Sequence, residues 1–362
     1  MSNIPITKPY IDNRELAKVK DVLASGWLSQ GPSVKEFEKR FARFICSKYA
    51  IATSSCTTAL HLALLALGIK KGDEVIVPSF TFIASFNAVE YTGAKPVFCD
   101  IKLDTFNIDP DLIEKCISKR TKAIMPVHLF GLTADMDKII GIAVRHKLFV
   151  IEDAACAILS YFKGKHAGTF GDAGCFSFHP RKSLTTGEGG MVVTDKAEIV
   201  SKISSLRSHG GMVSDLKRHK ENDFLLPEHR ELGFNYRMTD IQGAVGLAQL
   251  SKIKKNVSER RKIAHYYNTE LKNNSFFKIP PEPKGYDHSY QSYALLYIPE
   301  EPTLKNIDRL NAMRNKLLRR LKKLGISTRQ ATHAVHLLGY YRKKYAIKPN
   351  DYPYALFADK LS

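Results

Sequence analysis

Glu74-Val-Ile-Val-Pro78, Lys95-Pro-Val-Phe-Cys-Asp100, Thr121-Lys-Ala-Ile-Met-Pro126 and Leu148-Phe-Val-Ile-Glu152 are four apolar runs of strand length. Amphipathic stretches of helix length separate them: Thr81–Tyr91, Asp109–Ser118 with its capping Asp, and Ala134–His146. A further helix, Ala59–Leu67, precedes the first run. Near-continuous apolar strands alternating with helices predict an α/β fold whose largely parallel sheet is covered on both faces. In such sheets ligands bind beyond the carboxyl ends of the strands, so residues placed just after strands are the ones to inspect.

Outside this rhythm the pattern changes. A long helix is expected from Met238 to about Asn273, Pro280-Pro-Glu-Pro283 breaks the chain, Tyr290–Ile298 reads as a strand, and Thr303–Leu324 is a helix stopped by Gly325. The 362 residues therefore divide, on this reading, into a large ligand-binding domain (1–250) and a smaller α+β domain (251–362). No apolar run reaches the roughly 20 residues that span a bilayer, and Met1–Tyr10 lacks a signal-peptide core, which predicts a cytoplasmic protein. The net charge of +19 is uneven, because residues 251–362 hold 23 Lys and Arg against 9 Asp and Glu. Zinc-finger, basic-zipper and aromatic-interleaved RNA-binding patterns are missing, so the excess reads as a surface that attracts a small anionic substrate rather than nucleic acid. The six cysteines show neither a C-x-x-C pair nor metal-ligand spacing, and Cys46, Cys99, Cys116 and Cys175 read as buried free thiols.

Three stretches carry chemistry. In Cys175-Phe-Ser177-Phe-His-Pro-Arg-Lys182-Ser-Leu-Thr-Thr-Gly187-Glu-Gly-Gly190, a lysine stands in a turn between two strands, ahead of a Gly-rich loop. A lysine in core-like surroundings suits a Schiff base, with desolvation expected to lower its pKa; alternatively, the loop is a hairpin turn. Asp153 ends an apolar strand, where a carboxylate needs a partner, or else it caps the next helix. Ala52-Thr-Ser-Ser-Cys56-Thr57-Thr58 puts hydroxyls at a helix start, either a phosphate cradle or simple N-capping.

Together with Gly26-Trp-Leu-Ser-Gln-Gly-Pro32, Gly72-Asp-Glu-Val-Ile-Val-Pro-Ser-Phe-Thr-Phe82, Pro126-Val-His-Leu-Phe-Gly131, Leu232-Gly-Phe-Asn235-Tyr-Arg-Met-Thr-Asp240 and Gly325-Ile-Ser-Thr-Arg329, these stretches make the chain resemble the DegT/DnrJ/EryC1/StrS sugar aminotransferases over essentially its whole length. The resemblance implies fold type I and pyridoxal 5′-phosphate (PLP) as cofactor. Lys182 would form the Schiff base and move the proton. Asp153 would bind the pyridine nitrogen, Phe82 and Ala155 would flank the ring, and Thr57, Thr58 and Ser177 would hold the phosphate. Asn235 would come from a second copy, which implies a homodimer with shared sites. The implied reaction moves an amino group from glutamate to a nucleotide-linked keto-deoxysugar, at the 4-keto position in the perosamine-synthase type, for surface polysaccharide or related amino-sugar synthesis. A sugar dehydratase using the same cofactor and a PLP-bound regulator are the alternatives; dehydratases of this type replace the lysine by His. Two residues depart from the family pattern: Cys156 stands where many relatives carry Gln or His, and Cys56 where Gly is common. Relatives also continue with a Leu-Pro segment and a final helix, so the resemblance predicts a truncated C-terminus with Leu356, Phe357 and Leu361 short of partners.

Overall fold

The computed structural model describes residues 3–211 and 228–362. Helices α1 (Asn13–Ser25) and α2 (Pro32–Ile45) precede β1 (Tyr49–Thr53), α3 (Cys56–Ala66), β2 (Glu74–Pro78), β3 (Phe80–Thr81), α4 (Ala84–Tyr91) and β4 (Lys95–Cys99). Then follow α5 (Pro110–Ile113), β5 (Thr121–Ile124), α6 (Met136–His146) and β6 (Phe149–Asp153). The short hairpin β7 (Tyr161–Phe162) and β8 (Lys165–His166) leads into β9 (Ala173–Ser177), β10 (Gly190–Thr194) and α7 (Ala197–Leu206).

Seven of these strands form the main sheet in the order β1-β10-β9-β6-β5-β2-β4. From β9 to β4 all neighbours are parallel, while β10 runs antiparallel to both β9 and β1. The period of two sorts the side chains. Ile51, Val75, Val77, Ile151, Cys175 and Val192 join one buried cluster with α3 and α4. Ala52, Phe176, Met191 and Val193 join another with α2. Both faces are thus covered, as the apolar strands require.

The long helix α8 (Asp240–Leu271) lies against α2. Val34, Phe37, Phe41 and Ile45 fall on one face of α2 and are fully buried. Gly246 of α8 allows the approach, since a Cβ there would sit 2.7 Å from the Phe37 ring. The N-terminus of α2 is capped from a distance: Asp240 accepts from the amides of Gly31, Ser33 and Val34 at 2.8, 2.9 and 2.9 Å. The boundary expected at residue 250 falls inside α8.

The remaining elements are β11 (Phe277–Lys278), β12 (Tyr286–Asp287), β13 (Leu296–Tyr297), α9 (Ile307–Lys323), β14 (His333–Ala334), α10 (Gly339–Tyr345) and α11 (Pro353–Leu361). Several expectations change here. Thr81 belongs to β3, which pairs with β14, and α4 starts only at Ala84. Of the strand expected over Tyr290–Ile298, only Leu296–Tyr297 forms, paired with β11. Residues 288–293 are an irregular strap instead, with Tyr290 at φ +48°. Side chains of α8 replace the missing ladder: Arg260 donates to the Gln291 carbonyl at 2.9 Å and Arg261 to that of His288 at 2.9 Å. Leu356, Phe357 and Leu361, expected to lack partners, are buried with Leu310, Ala334 and Phe80, because α11 packs along α9 and β14. Cys46, expected inside, is exposed at the left-handed C-cap of α2, and Cys116 is half-buried.

Candidate active site

Strands β1, β6 and β9 all end at one edge of the sheet, where β10 begins, and the sequence-predicted residues collect there. Gly190 pairs with Ser177 on one side and Thr53 on the other. A Cβ on Gly190 would lie 2.4 Å from the Ser55 carbonyl carbon and 2.6 Å from the Cys56 nitrogen, so glycine lets the start of α3 sit directly on the sheet edge. Ser55 is the N-cap: its hydroxyl accepts from the Thr58 amide at 3.2 Å, and the Thr58 hydroxyl accepts from the Ser55 amide at 3.0 Å. The capping reading of this stretch is therefore realised. It still leaves the amides of Cys56 and Thr57 without a protein partner among the described residues.

The two antiparallel strands β9 and β10 make residues 178–189 an extended hairpin loop, so the hairpin reading also holds, with Lys182 mounted on it. The Phe178 carbonyl takes the Thr186 amide at 2.9 Å and the Thr185 hydroxyl at 3.0 Å. The Lys182 amide donates to the His179 carbonyl at 2.8 Å, and the Gln291 side chain donates to the Arg181 carbonyl at 2.7 Å. The lysine amine meets the Cys156 thiol at 3.1 Å. Burial opposes its charge, but Cys156, Asp153 and Cys56 favour it, and its pKa is raised. The expected lowering by desolvation is thereby reversed, because the neighbours outweigh the loss of water.

Asp153 is 5% exposed. Its carboxylate accepts from the Ser85 hydroxyl at 2.7 Å and the Ala155 amide at 3.1 Å. It has no ion-pair partner among the described residues. Ala155 is half-buried in the turn after β6, and Ser177 is buried, its hydroxyl accepting from the His179 amide at 3.4 Å. Phe82 follows β3 and is 62% exposed. Asn235 is also exposed, next to Tyr236, whose carbonyl takes the Ser54 amide at 2.8 Å.

A positive rim surrounds Lys182. Partial burial depresses the Arg329 guanidinium, Arg181 adds to the effect and Cys156 opposes it. Partial burial likewise lowers His179, with Lys182, Arg181 and Arg329 pushing the same way against Glu188. These groups stand within electrostatic reach of one another. The pairing of His333 with Thr81 brings the segment after Arg329 beside Phe82.

Sequence reasoning missed Ser85, Gln291 and the role of Glu152. Ser85 lies one helical turn beyond Phe82, and only the fold turns it toward β6. The buried Glu152, adjacent to Asp153, accepts from the His128 ring at 2.8 Å and from the amides of Gly168, Phe170 and Gly171 at 2.7, 2.6 and 2.7 Å. Since His128 Nδ1 accepts from the Ala134 amide at 3.1 Å, its Nε2 carries the proton that Glu152 receives.

A hairpin-borne lysine, a buried carboxylate at a strand end and an open helix start, all at one sheet edge, form a donor set for a phosphorylated ring cofactor. Comparison with known proteins agrees. The DegT/DnrJ/EryC1/StrS aminotransferase family matches residues 9–359. The spore coat polysaccharide biosynthesis protein SpsC of Bacillus subtilis is 39% identical over 358 residues, covering 98% of this chain and 89% of that protein. GDP-perosamine synthase of Escherichia coli O157:H7 is 40% identical over 350 residues, covering 96% and 90%. Among solved structures, DesV of S. venezuelae in complex with a ketimine intermediate has a TM-score of 0.87 at 31% identity, covering 100% of this chain and 92% of that one. A family model matching residues 9–359, and relatives at about 40% identity of which about nine-tenths are covered, place the protein in the DegT/DnrJ/EryC1/StrS aminotransferase family, as a transaminase with pyridoxal phosphate for its cofactor.

Proposed function

We propose that the enzyme transfers the amino group of glutamate to a keto-deoxysugar carried on a nucleoside diphosphate, at the 4-keto position, with Lys182 as the reactive amine. The observation that carries this reading is the Lys182 amine. It stands over the sheet edge on an anchored loop, 3.1 Å from Cys156 in the turn that follows Asp153.

The residues present fit the cofactor. Among the described residues Asp153 is a buried carboxylate paired only to a hydroxyl and an amide, and such a group is costly without a cation. A protonated pyridine nitrogen is the cation it would hold. The amides of Cys56 and Thr57 at the positive end of α3, with the hydroxyls of Thr57 and Ser177, would hold the phosphate. The Thr58 hydroxyl, engaged in the cap, would act by fixing that turn. Phe82 and Ala155 would cover the two ring faces, and the exposed Asn235 would reach the phosphate of a second copy in a homodimer. When bound, the cofactor supplies the electron sink for the developing carbanion. Lys182 holds and moves the proton at its Nζ, while Asp153 keeps a positive charge in place opposite its carboxylate.

The substrate reading draws on charge and kinship. Arg181 and Arg329 make a positive rim suited to a diphosphate, with His179 beside them as an uncharged hydrogen-bonding group. Relatives named GDP-perosamine synthase, at 40% and 41% identity, support a 4-amino product, and SpsC supports a place in surface polysaccharide synthesis. Borohydride reduction of the holoenzyme should fix a pyridoxyl group on the Lys182 peptide, and Lys182→Ala should abolish amino transfer. A panel of nucleotide keto-sugars incubated with glutamate, read by mass spectrometry, should give a product only with 4-keto-deoxysugars. Label on another lysine, or a product from a 3-keto-sugar alone, would sink the corresponding half of this reading.

A further inference from the structure

We propose that Cys156 is a positioning residue of the reaction: whenever the Lys182 amine is free, the Cys156 thiol holds it over the sheet edge, ready to act. This rests on Lys182 being the reactive amine.

The argument is geometric. Cys156 is presented from a turn tied at both ends. The Ala154 amide donates to the Cys175 carbonyl at 2.9 Å, the Ala155 amide to Asp153 Oδ1 at 3.1 Å, and the Ala157 amide to the Ala154 carbonyl at 2.9 Å. The thiol therefore has a fixed position, whereas the lysine reaches it through four flexible carbons. The loop under the lysine is anchored as well, by Gln291 at the Arg181 carbonyl, and Arg260 anchors Gln291 in turn. The Lys182 amine makes a hydrogen bond to Cys156 and, among the described residues, to no other group. The other charged or titratable groups facing it are Asp153 at the end of β6 and Cys56 at the start of α3, with His179, Arg181 and Arg329 on the rim. A sulfur acceptor suits this post. It holds an amine weakly enough to release it, and unlike a carboxylate it does not bring a permanent charge that would compete with Asp153.

The test uses the full-length holoenzyme converted by glutamate to its amino-loaded form, in which the lysine amine is free. A small acylating reagent, applied across a pH series and read at the Lys182 peptide, reports the titration of that amine. In Cys156→Ala the labelling midpoint should fall by about one pH unit, the size of one lost hydrogen bond to a charged group. Single-turnover amino transfer from glutamate should slow about tenfold, with little change in KM. Cys156→Ser, which keeps an acceptor, should recover most of both. A midpoint and rate in Cys156→Ala equal to those of the unaltered protein would overturn the proposal. So would a Ser variant as impaired as the Ala variant, since loss of packing alone would then explain both. Borohydride labelling of the variants separates this outcome from failure of the Lys182 reading. If the pyridoxyl group still sits on Lys182, the lysine keeps its role and only that of Cys156 falls.

Discussion

Glu152 and Asp153 are neighbours on β6, both buried carboxylates, yet their surroundings differ. Strand alternation sends them to opposite faces of the sheet. On one face Glu152 is saturated: both oxygens accept two hydrogen bonds each, from His128 and three backbone amides, and the residue ties the loop at 168–171 to the strand. On the other, Asp153 takes one hydroxyl and one amide and keeps acceptor capacity toward the side where Lys182 and α3 lie. A carboxylate whose bonds are complete holds structure; one left short of a positive partner at a sheet edge is equipped to hold a ligand.

Mutation should separate the two. Asp153→Asn is expected to bind cofactor poorly and to lose about 10²–10³-fold in turnover, the order found when charge stabilisation at a reacting centre is removed. Its thermal midpoint without cofactor should stay close to that of the unaltered protein, because Asn still accepts from Ser85 or Ala155. Cofactor absorbance and steady-state rates check this, and near-normal turnover with cofactor fully bound would erase the contrast.

Glu152→Gln should behave in reverse. Its new NH₂ group would point at backbone amides that can only donate, at a cost of about 3 kcal/mol. That corresponds to a fall of roughly 4 °C in thermal midpoint for a chain of this size. Turnover per folded molecule should change little. A variant that melts normally but loses activity would show that Glu152 belongs to the chemistry after all.

The Glu152 side should also be acid-sensitive. His166 is buried behind it, with Nε2 accepting from the Leu159 amide at 2.9 Å and Nδ1 donating to the Ala167 carbonyl at 2.6 Å. Burial is the main cause of its pKa falling from 6.5 to about 4. Between those values the unfolded chain binds a proton that the folded one refuses. Stability is therefore complete above 6.5 and declines as pH falls toward 4, by up to about 3 kcal/mol from this residue. Denaturant melts at pH 7 and pH 4.5 should differ in that direction, and His166→Asn should reduce the difference. An unchanged difference would locate the acid sensitivity elsewhere.

The local code made much of this protein legible in advance. Apolar runs at 74–78, 95–100, 121–126 and 148–152 marked parallel strands, since only doubly covered strands are apolar on both faces. Lys182 and Asp153 stood out because charged groups at strand ends in an apolar setting need a reason to be there. Long-range pairing decided the rest. Ser85 reaches Asp153 across 68 positions and Gln291 the Arg181 carbonyl across 110, distances at which no periodicity in the chain carries information. Tyr290–Ile298 looked like a strand, yet only Leu296–Tyr297 pairs, and at the strap before it Arg260 and Arg261 of α8 take the Gln291 and His288 carbonyls. Leu356, Phe357 and Leu361 looked stranded because their partners, Leu310 and Phe80, lie far back in the chain. The direction of the Lys182 shift was likewise invisible, for burial is written in the local pattern, whereas Cys156, Asp153 and Cys56, which together outweigh it, meet the lysine from other strand ends. The sequence by itself determined which groups had to be buried and which needed partners; the tertiary structure alone decided who those partners are, because hydrogen bonds and charges act through space and not along the chain.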